Sequence, residues 1–501
     1  MKTRIIRIIY CMALLTLQVS LTIAQTPDDA FRYSSLSNSD GTARFMAMGG
    51  AFTAVGGDMG ALAFNPAGVG VFIKSQFCFT PGFSMQNINS TYNGSSSVGQ
   101  QSIMTVQNIG WVGSWRNRQD GAKWKNINFA IVYNRTNDFN ANYIISGYSK
   151  NSILDAFVSN ADGTDSANLD PFSTQQALNA GLINKIPGTG GTQYQNVVDP
   201  FLTTGQSIYQ QDIISNSGSM GETDITIGSN YNNKLDIGAS FGIADVRFAQ
   251  TASYTETPNY TDTIFGLQNF NYSTTLNTTG AGFNFKIGAI YRVTDWLRVG
   301  AAVHTPTWFS LSDNYTSLIS ATYTATNDFP NGAGTFYGAP GGQPMNGSYN
   351  YTLTTPMRAM GGLAVIINHQ AIISADYEWV NYSLSQFGPA SVFNTVNQAI
   401  QTSYAPQSNI RAGAELVLYP FSLRAGYQYF TNPYAPGSGN ASMKQSFSVG
   451  AGVKFGRCFV DLAYVLTQYS EDYYMYTPGI ATAAVNNNTF SNVACTFGVN
   501  F

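Results

Sequence analysis

The chain has 501 residues, and its 24 basic and 27 acidic side chains make up only 10% of them. A soluble domain usually carries about 25% charged residues, so an ordinary water-facing surface is excluded. The 14% aromatic residues exclude a disordered chain, and a helical membrane protein would need repeated apolar runs of about 20 residues. A net charge of -3 argues against nucleic acid as a partner. Few charges with many glycine and aromatic residues are typical of a transmembrane β-barrel.

The first 24 residues have the composition of a secretory signal peptide. An apolar stretch over residues 8–17 follows three basic residues, Lys2, Arg4 and Arg7, and small residues lead to Ala24. This pattern predicts cleavage after Ala24 and export of the mature chain. An uncleaved anchor helix is the alternative, although the apolar stretch is short for a membrane span.

The C-terminal residues alternate between an apolar and a polar face. Every second residue from Val493 to Phe501 is apolar, and the residues between them are small or polar. Successive side chains of a strand point to opposite faces, so this pattern predicts a strand with one apolar face. The same alternation occurs over residues 421–429 and 447–455. Alternation alone does not separate a membrane barrel from a soluble sandwich.

The connections between the predicted strands are alternately short and long. Links of two to four residues, such as Asn232-Asn233 and Gly456-Arg457, alternate with long polar segments near 87–97, 148–216 and 316–345. Short turns on one rim and long loops on the other are typical of outer-membrane barrels. We predict an all-β fold, a transmembrane antiparallel β-barrel of about fourteen strands. They lie near 71–86, 98–115, 123–147, 217–231, 234–257, 268–291, 295–315, 346–367, 370–387, 407–418, 421–430, 443–455, 458–475 and 488–501.

Two of the long connections carry helix signals. Asp170 followed by Pro171 is a candidate helix start, with Leu178 and Leu182 one turn apart. Ser391 is a candidate cap for a second helix that carries Phe393 and Ile400 among its apolar residues. Apolar helices at the long-loop rim could contact a hydrophobic ligand or could simply pack on the rim.

Residues 41–70 do not alternate and end in a distinctive motif. They read GTARFMAMGGAFTAVGGDMGALAFNPAGVG and contain Asn65-Pro66-Ala67-Gly68. This segment resembles the N-terminal hatch of the FadL/TodX (OMPP1) family, outer-membrane transporters of long-chain fatty acids and hydrophobic hydrocarbons. Residues 354–383 and 408–430 also resemble strand pairs of that family.

The resemblance implies three regions and a transport function. These are a signal peptide (1–24), a hatch that plugs the lumen (25–70) and a transmembrane β-barrel with long extracellular loops (71–501). A hydrophobic or amphipathic ligand would enter from outside and leave through a gap in the barrel wall into the outer membrane. A plug is also expected physically, since strand side chains alone cannot fill a barrel of this width.

Candidate site residues follow from the motif and from strand parity, that is, from which face of its strand each residue occupies. Asn65, Pro66, Ala67 and Gly68 are the candidate hatch or gate residues. Parity places several charges on polar, luminal faces, and most should pair with each other across strands. Arg298, Arg358 and Arg424 are candidate ligand-binding residues, because a guanidinium can pair with a ligand carboxylate.

The remaining motifs indicate no cofactor, no metal site and no enzyme. Cys78, Cys458 and Cys495 have neither the number nor the spacing of a disulfide framework or a zinc site. Only two histidines, His304 and His369, are available to a nucleophile or a haem, although Tyr could replace His as a haem ligand. Two alternatives to transport stay open: haem-type uptake, and a surface barrel that acts in binding or adhesion.

The last residue, Phe501, lies on the apolar face of the final strand. A terminal aromatic residue of this kind resembles the assembly signal of outer-membrane barrels, which implies the barrel-assembly machinery as a partner beside the hydrophobic ligand and outer-membrane lipid. An ordinary lipid-facing aromatic is the alternative. We therefore expect the protein in the cell outer membrane, with a ligand that the sequence does not identify.

Overall fold

Antiparallel strands form a closed wall around the N-terminal segment. The computed structural model describes residues 25–36, 40–203, 205–258, 266–324, 333–368, 370–437 and 442–501. The predicted signal peptide and His369 lie outside the described residues.

The described strands are β1 (Gln76–Tyr92), β2 (Ser95–Arg116), β3 (Asn126–Asp138), β4 (Ala141–Ser149), β5 (Ile183–Lys185), β6 (Tyr194–Asn196), β7 (Ile208–Tyr231), β8 (Leu235–Pro258), β9 (Leu267–Arg292), β10 (Leu297–His304), β11 (Trp308–Tyr323), β12 (Gly334–Tyr337), β13 (Met345–Thr354), β14 (Arg358–Ile367), β15 (Ala371–Asn381), β16 (Gln386–Gly388), β17 (Pro406–Leu418), β18 (Phe421–Phe430), β19 (Lys444–Phe455), β20 (Cys458–Tyr473) and β21 (Ala484–Asn500). The described α-helices are α1 (Pro27–Ser34), α2 (Ala43–Ala47), α3 (Ile153–Ala161), α4 (Thr174–Asn179), α5 (Asp199–Leu202) and α6 (Ala390–Ser403).

The wall closes into a ring because β1 pairs with β2 on one side and with β21 on the other. Three wall positions are each shared by two consecutive strands, β3 with β4, β10 with β11, and β15 with β16, and a fourth position is shared by β12, β13 and β14. Counted in this way, the described strands fill fourteen positions around the ring. The predicted antiparallel barrel of fourteen strands, with the N-terminal segment inside, is therefore confirmed.

Strand β9 shows how the sequence separates the two faces of the wall. Phe283, Phe285 and Ile287 point outward and are 45%, 48% and 62% exposed, whereas Asn284 and Lys286 between them are buried in the lumen. Apolar side chains on the outside and polar side chains on the inside are the reverse of a soluble protein. The outer face therefore suits lipid, as expected for a protein of the outer membrane.

Several strand boundaries differ from the sequence predictions. Strand β1 begins at Gln76 rather than at residue 71, because Pro66–Val71 form a 3-10 helix. The long loop predicted over 87–97 is wrong, since β1 and β2 are joined by a tight turn at Asn93 and Gly94 with φ angles of 46° and 82°. Strand β7 begins at Ile208 rather than at residue 217, so the long connection after β4 is shorter than predicted.

The long connection after β4 folds into a small helical cap on the long-loop rim. The helix predicted from Asp170 begins only at Thr174, because the Asp170 carboxylate accepts hydrogen bonds from Phe172 N–H and the Ser173 hydroxyl and holds a turn. The second predicted helix is present as α6, although Pro389 rather than Ser391 precedes it. No helix among the described residues is long and apolar enough to cross a membrane.

Two apolar clusters fill the long-loop half of the barrel. One joins the cap to the wall through buried residues such as Leu154, Phe157 and Phe270. The other surrounds α1 and includes Tyr33 and Phe393, so α1 and α6 share one core. The long-loop end of the lumen is therefore packed by side chains of loops and of the hatch together.

Candidate functional site

The hatch crosses the lumen and is held to the wall by hydrogen bonds. Ala43 N–H donates to Thr496 Oγ1 at 2.7 Å, and Thr53 N–H donates to Asp376 Oδ2 at 2.7 Å. Inside the hatch, Asp58 accepts bonds from the Thr42 hydroxyl and from Gly60 N–H. Burial raises the pKa of the Asp58 carboxyl, while Arg44 and these donors act against that rise. The hatch is thus fixed to opposite parts of the ring.

The predicted gate motif lies buried where the hatch meets β9. Asn65 Oδ1 accepts from Ala67 N–H at 3.0 Å, and Asn65 Nδ2 donates to the Thr53 carbonyl at 2.6 Å and to the Ala289 carbonyl at 3.4 Å. Pro66 opens the 3-10 helix, where its missing N–H costs no hydrogen bond, and Ala67 and Gly68 are buried. Asn65 therefore joins two hatch segments and one wall strand. That this motif acts as a gate stays a prediction.

Glycines on the inner face of the wall make room for the hatch backbone. A Cβ atom at Gly238 would overlap the Pro66 peptide, and one at Gly300 would lie 2.5 Å from the Thr53 carbonyl carbon. The same holds for Gly288 beside Asn65, Gly413 beside Met48 and Gly426 beside Gly49. The sequence analysis did not assign these positions. The sequence does carry a sign of them, because glycine recurs in several successive strands at positions that face the lumen.

The three predicted ligand-binding arginines are all engaged inside the protein. Arg358 pairs with Glu378 and donates to the Ser34 carbonyl. Arg424 pairs with Glu415 at 2.7 Å and with Asp461 at 2.6 Å. Arg298 donates to the Val55 carbonyl at 3.3 Å and makes no ion pair with a described residue. Pairing of luminal charges across strands was expected, and a role of these arginines in ligand binding stays a prediction.

A cavity of about 380 Å³ lies in the lumen between α1 and the wall. Its aromatic lining comes from α1, from the wall and from the long-loop rim: Phe31, Phe139, Tyr143, Phe248, Tyr382, Phe430, Tyr434, Tyr469, Tyr473 and Phe490. Polar side chains share the lining, including Gln86, Asn409 and Glu471. Concave sites of this size with aromatic walls and a few polar groups are the usual binding sites for small molecules.

Beside this cavity the backbone pairing of the wall is interrupted. The ladder between β2 and β3 ends at the pair Asn108 and Asn134. Beyond it, among the described residues, β4 pairs only with β7 and residues 95–107 of β2 pair only with β1. We call the boundary between residues 95–107 and β4 the seam. Across the seam, the described residues of β2 and β4 share no main-chain hydrogen bonds, whereas neighbouring strands in a continuous ladder do.

Side chains close the seam. Asn93 Nδ2 donates to the Tyr148 carbonyl at 2.9 Å, and Asn142 Nδ2 donates to the Gln100 carbonyl at 3.0 Å. The Ser97 and Ser146 hydroxyls lie 2.8 Å apart. Each neutral hydrogen bond contributes only about 0.5–1.5 kcal/mol net. The seam is therefore closed by weak contacts.

A bend in the wall produces the seam. The register between β3 and β7 shifts at Thr136, and Phe139 and Asn140, between β3 and β4, both bond to the Gly218 carbonyl. Gly218 has a φ angle of 114°, which favours glycine. The cavity is lined by Asp138, Phe139 and Asn140 of the bend. The bend therefore connects the cavity to the end of the seam that lies next to Asn108.

An ion pair ties the hatch to this bend. Arg135 Nη2 lies 3.1 Å from Asp40 Oδ1 and 3.2 Å from Asp138 Oδ2, and all three side chains are buried. Asn492 Nδ2 on β21 also donates to Asp40 Oδ1 at 3.1 Å. The beginning of the hatch and the bend of β3 are therefore in direct electrostatic contact.

The described residues contain no metal-binding cluster, and their one histidine is engaged with the hatch. No group of three or more His, Cys, Asp or Glu side chains in the described part of the chain could hold a metal ion. His304 is buried, and its Nε2 lies 2.8 Å from the Phe64 carbonyl, so that ring nitrogen is engaged with the hatch.

Comparisons with known proteins agree with this architecture. A family model described as "Outer membrane protein transport protein (OMPP1/FadL/TodX)" matches residues 222–468. No curated protein sequence matches the chain significantly. Among solved structures, the toluene transporter TodX of Pseudomonas putida is 14% identical with a TM-score of 0.55, over 93% of this chain and 99% of TodX. A FadL homologue of Pseudomonas aeruginosa is 12% identical with a TM-score of 0.53, over 93% and 98% of the two chains.

Proposed function

Because the chain belongs to the OMPP1/FadL/TodX family of outer membrane transport proteins, we propose that it takes up hydrophobic or amphipathic small molecules through its luminal cavity and releases them into the membrane at the seam. The observation that carries the proposal is the position of the cavity beside the interrupted pairing of β2 and β4. TodX, which has the same fold, is a toluene transporter. A hydrophobic cargo also suits the aromatic lining of the cavity.

Release into the membrane would account for an interruption of the pairing within the wall itself, between β2 and β4. A hydrophobic molecule that left the lumen toward water would lose about 25 cal/mol for each Å² of apolar surface that it exposed. Passage through the seam keeps that surface away from water, because the outer face of the wall meets lipid. The bend at Thr136–Asn140 brings the cavity to this position.

A reversible cross-link across the seam tests the proposed exit. Ser97 and Ser146 are replaced by Cys, since their 2.8 Å separation places the Cβ atoms near disulfide range. The control replaces Thr275 and Thr316, whose hydroxyls lie 2.7 Å apart on the paired strands β9 and β11. Uptake of radiolabelled toluene and of a long-chain fatty acid is measured in cells that lack their own transporters.

We expect oxidation to reduce uptake through the Ser97→Cys, Ser146→Cys protein and a reductant to restore it, while the control stays at the parental rate. A shift in mobility between unheated and boiled samples on a detergent gel checks that each barrel is folded, since a closed barrel has no free edge. A cross-linked seam with parental uptake would reject the seam as the exit. A parent that moves neither probe would reject the transport proposal.

The geometry favours this proposal over the two alternatives from the sequence. A barrel that served only for adhesion would not need an aromatic cavity that meets an interruption of its own wall. A haem carrier would need an axial ligand such as His or Tyr; His304 faces the Phe64 carbonyl, and a tyrosine ligand stays open.

A further inference from the structure

A carboxyl group of strand β11 is buried in the lumen beside the first residue of the hatch. Asp313 is 4% exposed. Its Oδ1 accepts from the Thr278 hydroxyl at 2.6 Å and from the Tyr351 hydroxyl at 3.2 Å, and its Oδ2 accepts from Gln25 Nε2 at 2.9 Å. These donors are neutral, and no basic side chain among the described residues forms an ion pair with Asp313. Because burial disfavours the charged form of a carboxyl group, a cation at this position would stabilise it.

The residue that contacts Asp313 is also the predicted first residue of the mature chain. Cleavage after Ala24 would leave Gln25 with a free α-amino group, which is mostly protonated at neutral pH. Gln25 is 4% exposed. The bonds of one glutamine separate its Nε2 from its α-nitrogen by at most about 6 Å. The α-ammonium group would therefore lie near the Asp313 carboxylate, inside a barrel where opposite charges interact over several ångströms.

The other acidic groups at the start of α1 are engaged differently. Asp29 pairs with Arg32 and accepts a hydrogen bond from Thr26 N–H at 2.8 Å. Asp28 is exposed and accepts from the Tyr404 hydroxyl at 2.7 Å. Neither of these two carboxylates is both buried and in need of a cation. Asp313 is the carboxylate that combines burial, contact with Gln25 and neutral donors alone.

From these observations we infer that Asp313 is the binding site for the α-ammonium group of the mature chain, so that removal of the signal peptide creates an ion pair inside the barrel. A signal peptidase hydrolyses the Ala24–Gln25 bond with one water, which yields a carboxylate on Ala24 and the protonated amine on Gln25. The ion pair joins the start of the hatch to β11. Helix α1 follows directly, and its Phe31 and Arg32 line the luminal cavity. Cleavage therefore also fixes the part of the cavity wall that α1 provides.

The rate of amine labelling in the folded barrel tests the ion pair. Purified protein in detergent is treated with an amine-reactive ester, and mass spectrometry of its peptides gives the labelling rate of the Gln25 amine relative to the exposed Lys123. The same spectra identify the first residue of the mature chain, which we expect to be an unmodified Gln25. Only the unprotonated amine reacts, and a carboxylate close by favours the protonated form about tenfold or more. The Gln25 amine should therefore be labelled slowly in the folded protein and rapidly after boiling.

Variants separate the charge from burial and from the side-chain contact. Asp313→Asn keeps an acceptor for Thr278 and Tyr351 and removes the charge, so the Gln25 amine should be labelled about tenfold faster. Gln25→Met removes the amide contact but keeps the amine, so labelling should stay slow. Asp212→Asn is the matched control, because Asp212 is another buried carboxylate without a basic partner among the described residues, and it should leave the rate unchanged.

One further variant covers the case in which Asp313→Asn does not fold. An Ala inserted between Ala24 and Gln25 carries the amine one residue farther from Asp313, so labelling should be faster than in the parent while the side chain at 313 is intact. The gel shift confirms folding of each protein, and the N-terminal peptide confirms where each was cleaved.

Three results would overturn the inference. One is an equal labelling rate of the Gln25 amine in the parent and in folded Asp313→Asn or Ala-insertion protein. Another is a mature chain that begins at a different residue. The third is a Gln25 closed into pyroglutamate, which has no ammonium group to pair with Asp313. None of these results depends on which ligand the cavity binds, so the transport proposal is tested separately by uptake of toluene.

Discussion

Replacing Gly300 by Ala should loosen the hatch without unfolding the barrel. Gly300 and its cross-strand partner Gly362 lie directly beneath Thr53 of the hatch. A Cβ atom at Gly300 would lie 2.5 Å from the Thr53 carbonyl carbon and 2.7 Å from Ala54 Cα, whereas ordinary contacts begin at 3.4 Å. The Thr53 carbonyl oxygen would lie closer still, at 2.0 Å, so the hatch backbone must move by at least about 1 Å. Overpacking of this kind costs about 1–3 kcal/mol.

The displacement also affects the hydrogen bond from Asn65 Nδ2 to the Thr53 carbonyl. At 2.6 Å this bond would lengthen to about 3.6 Å after a shift of 1 Å, which is beyond hydrogen-bonding range. Leaving these buried groups unpaired adds about 1–3 kcal/mol. The sum, about 2–6 kcal/mol, acts on the hatch alone, because the paired strands of the ring are unchanged.

The assay combines ion conductance in planar bilayers with the gel shift. We expect the Gly300→Ala protein to show the parental gel shift but a higher conductance, since a loosened hatch opens a water path. Gly361→Ala is the matched control, because it lies next to Gly362 on the outer face and its Cβ would meet nothing within 4 Å. Equal conductance of the parent and both variants would refute the idea that these glycines seat the hatch.

Two further variants test the predicted roles of the hatch motif and the C-terminus. Asn65→Ala leaves the Thr53 carbonyl and Ala67 N–H unpaired, at a cost of about 1–3 kcal/mol each. The barrel should therefore fold while toluene uptake changes. If the folded variant takes up toluene at the parental rate, the gate role is rejected. Deletion of Phe501, which is 61% exposed at the end of the wall, should lower the yield of folded barrel well below that of Tyr427→Leu; equal yields would favour an ordinary lipid-facing aromatic.

The strand pattern was predictable because each strand of the ring obeys one local rule. Strand β9 alternates apolar and polar residues over Phe283, Asn284, Phe285, Lys286 and Ile287. The apolar residues face lipid and the polar ones face the lumen. Short turns between such strands also depend only on neighbouring residues. Barrel class, strand number and the inward parity of the charges therefore follow from residues close together in the chain.

The error at the first hairpin had a local signal that was overlooked. Asn93-Gly94 is a favoured pair for a two-residue turn, because both positions need positive φ angles. The surrounding polar residues, which suggest a loop, instead belong to the paired strands β1 and β2. The polar composition of residues 87–97 therefore led to a wrong boundary between β1 and β2, whereas the Asn-Gly turn signal would have placed it correctly.

Contacts between the hatch and the wall could not be predicted in the same way. The Asp40 and Arg135 pair joins residues 95 positions apart, and the bond between Ala43 and Thr496 joins residues 453 positions apart. Strand parity predicts that a charged side chain faces the lumen, but it does not predict which residue pairs with that side chain. The arginines predicted as ligand-binding residues were selected by strand parity, whereas the acidic partners of Arg358 and Arg424 lie on other strands, β15, β17 and β20.

The relative strength of the seam and the hatch indicates which one yields first during transport. Opening the seam breaks three hydrogen bonds made by neutral side chains, worth about 0.5–1.5 kcal/mol each, and no main-chain ladder among the described residues. Withdrawing the hatch would separate buried ion pairs such as Arg135 with Asp40 and the part-buried Arg44 with Glu415. Breaking a single buried pair costs about 3–5 kcal/mol when one charge loses its partner. It would also remove the hatch backbone from the glycines that seat it. Movement at the seam is therefore the less costly of the two, and the proposed release at the seam would leave the hatch in place.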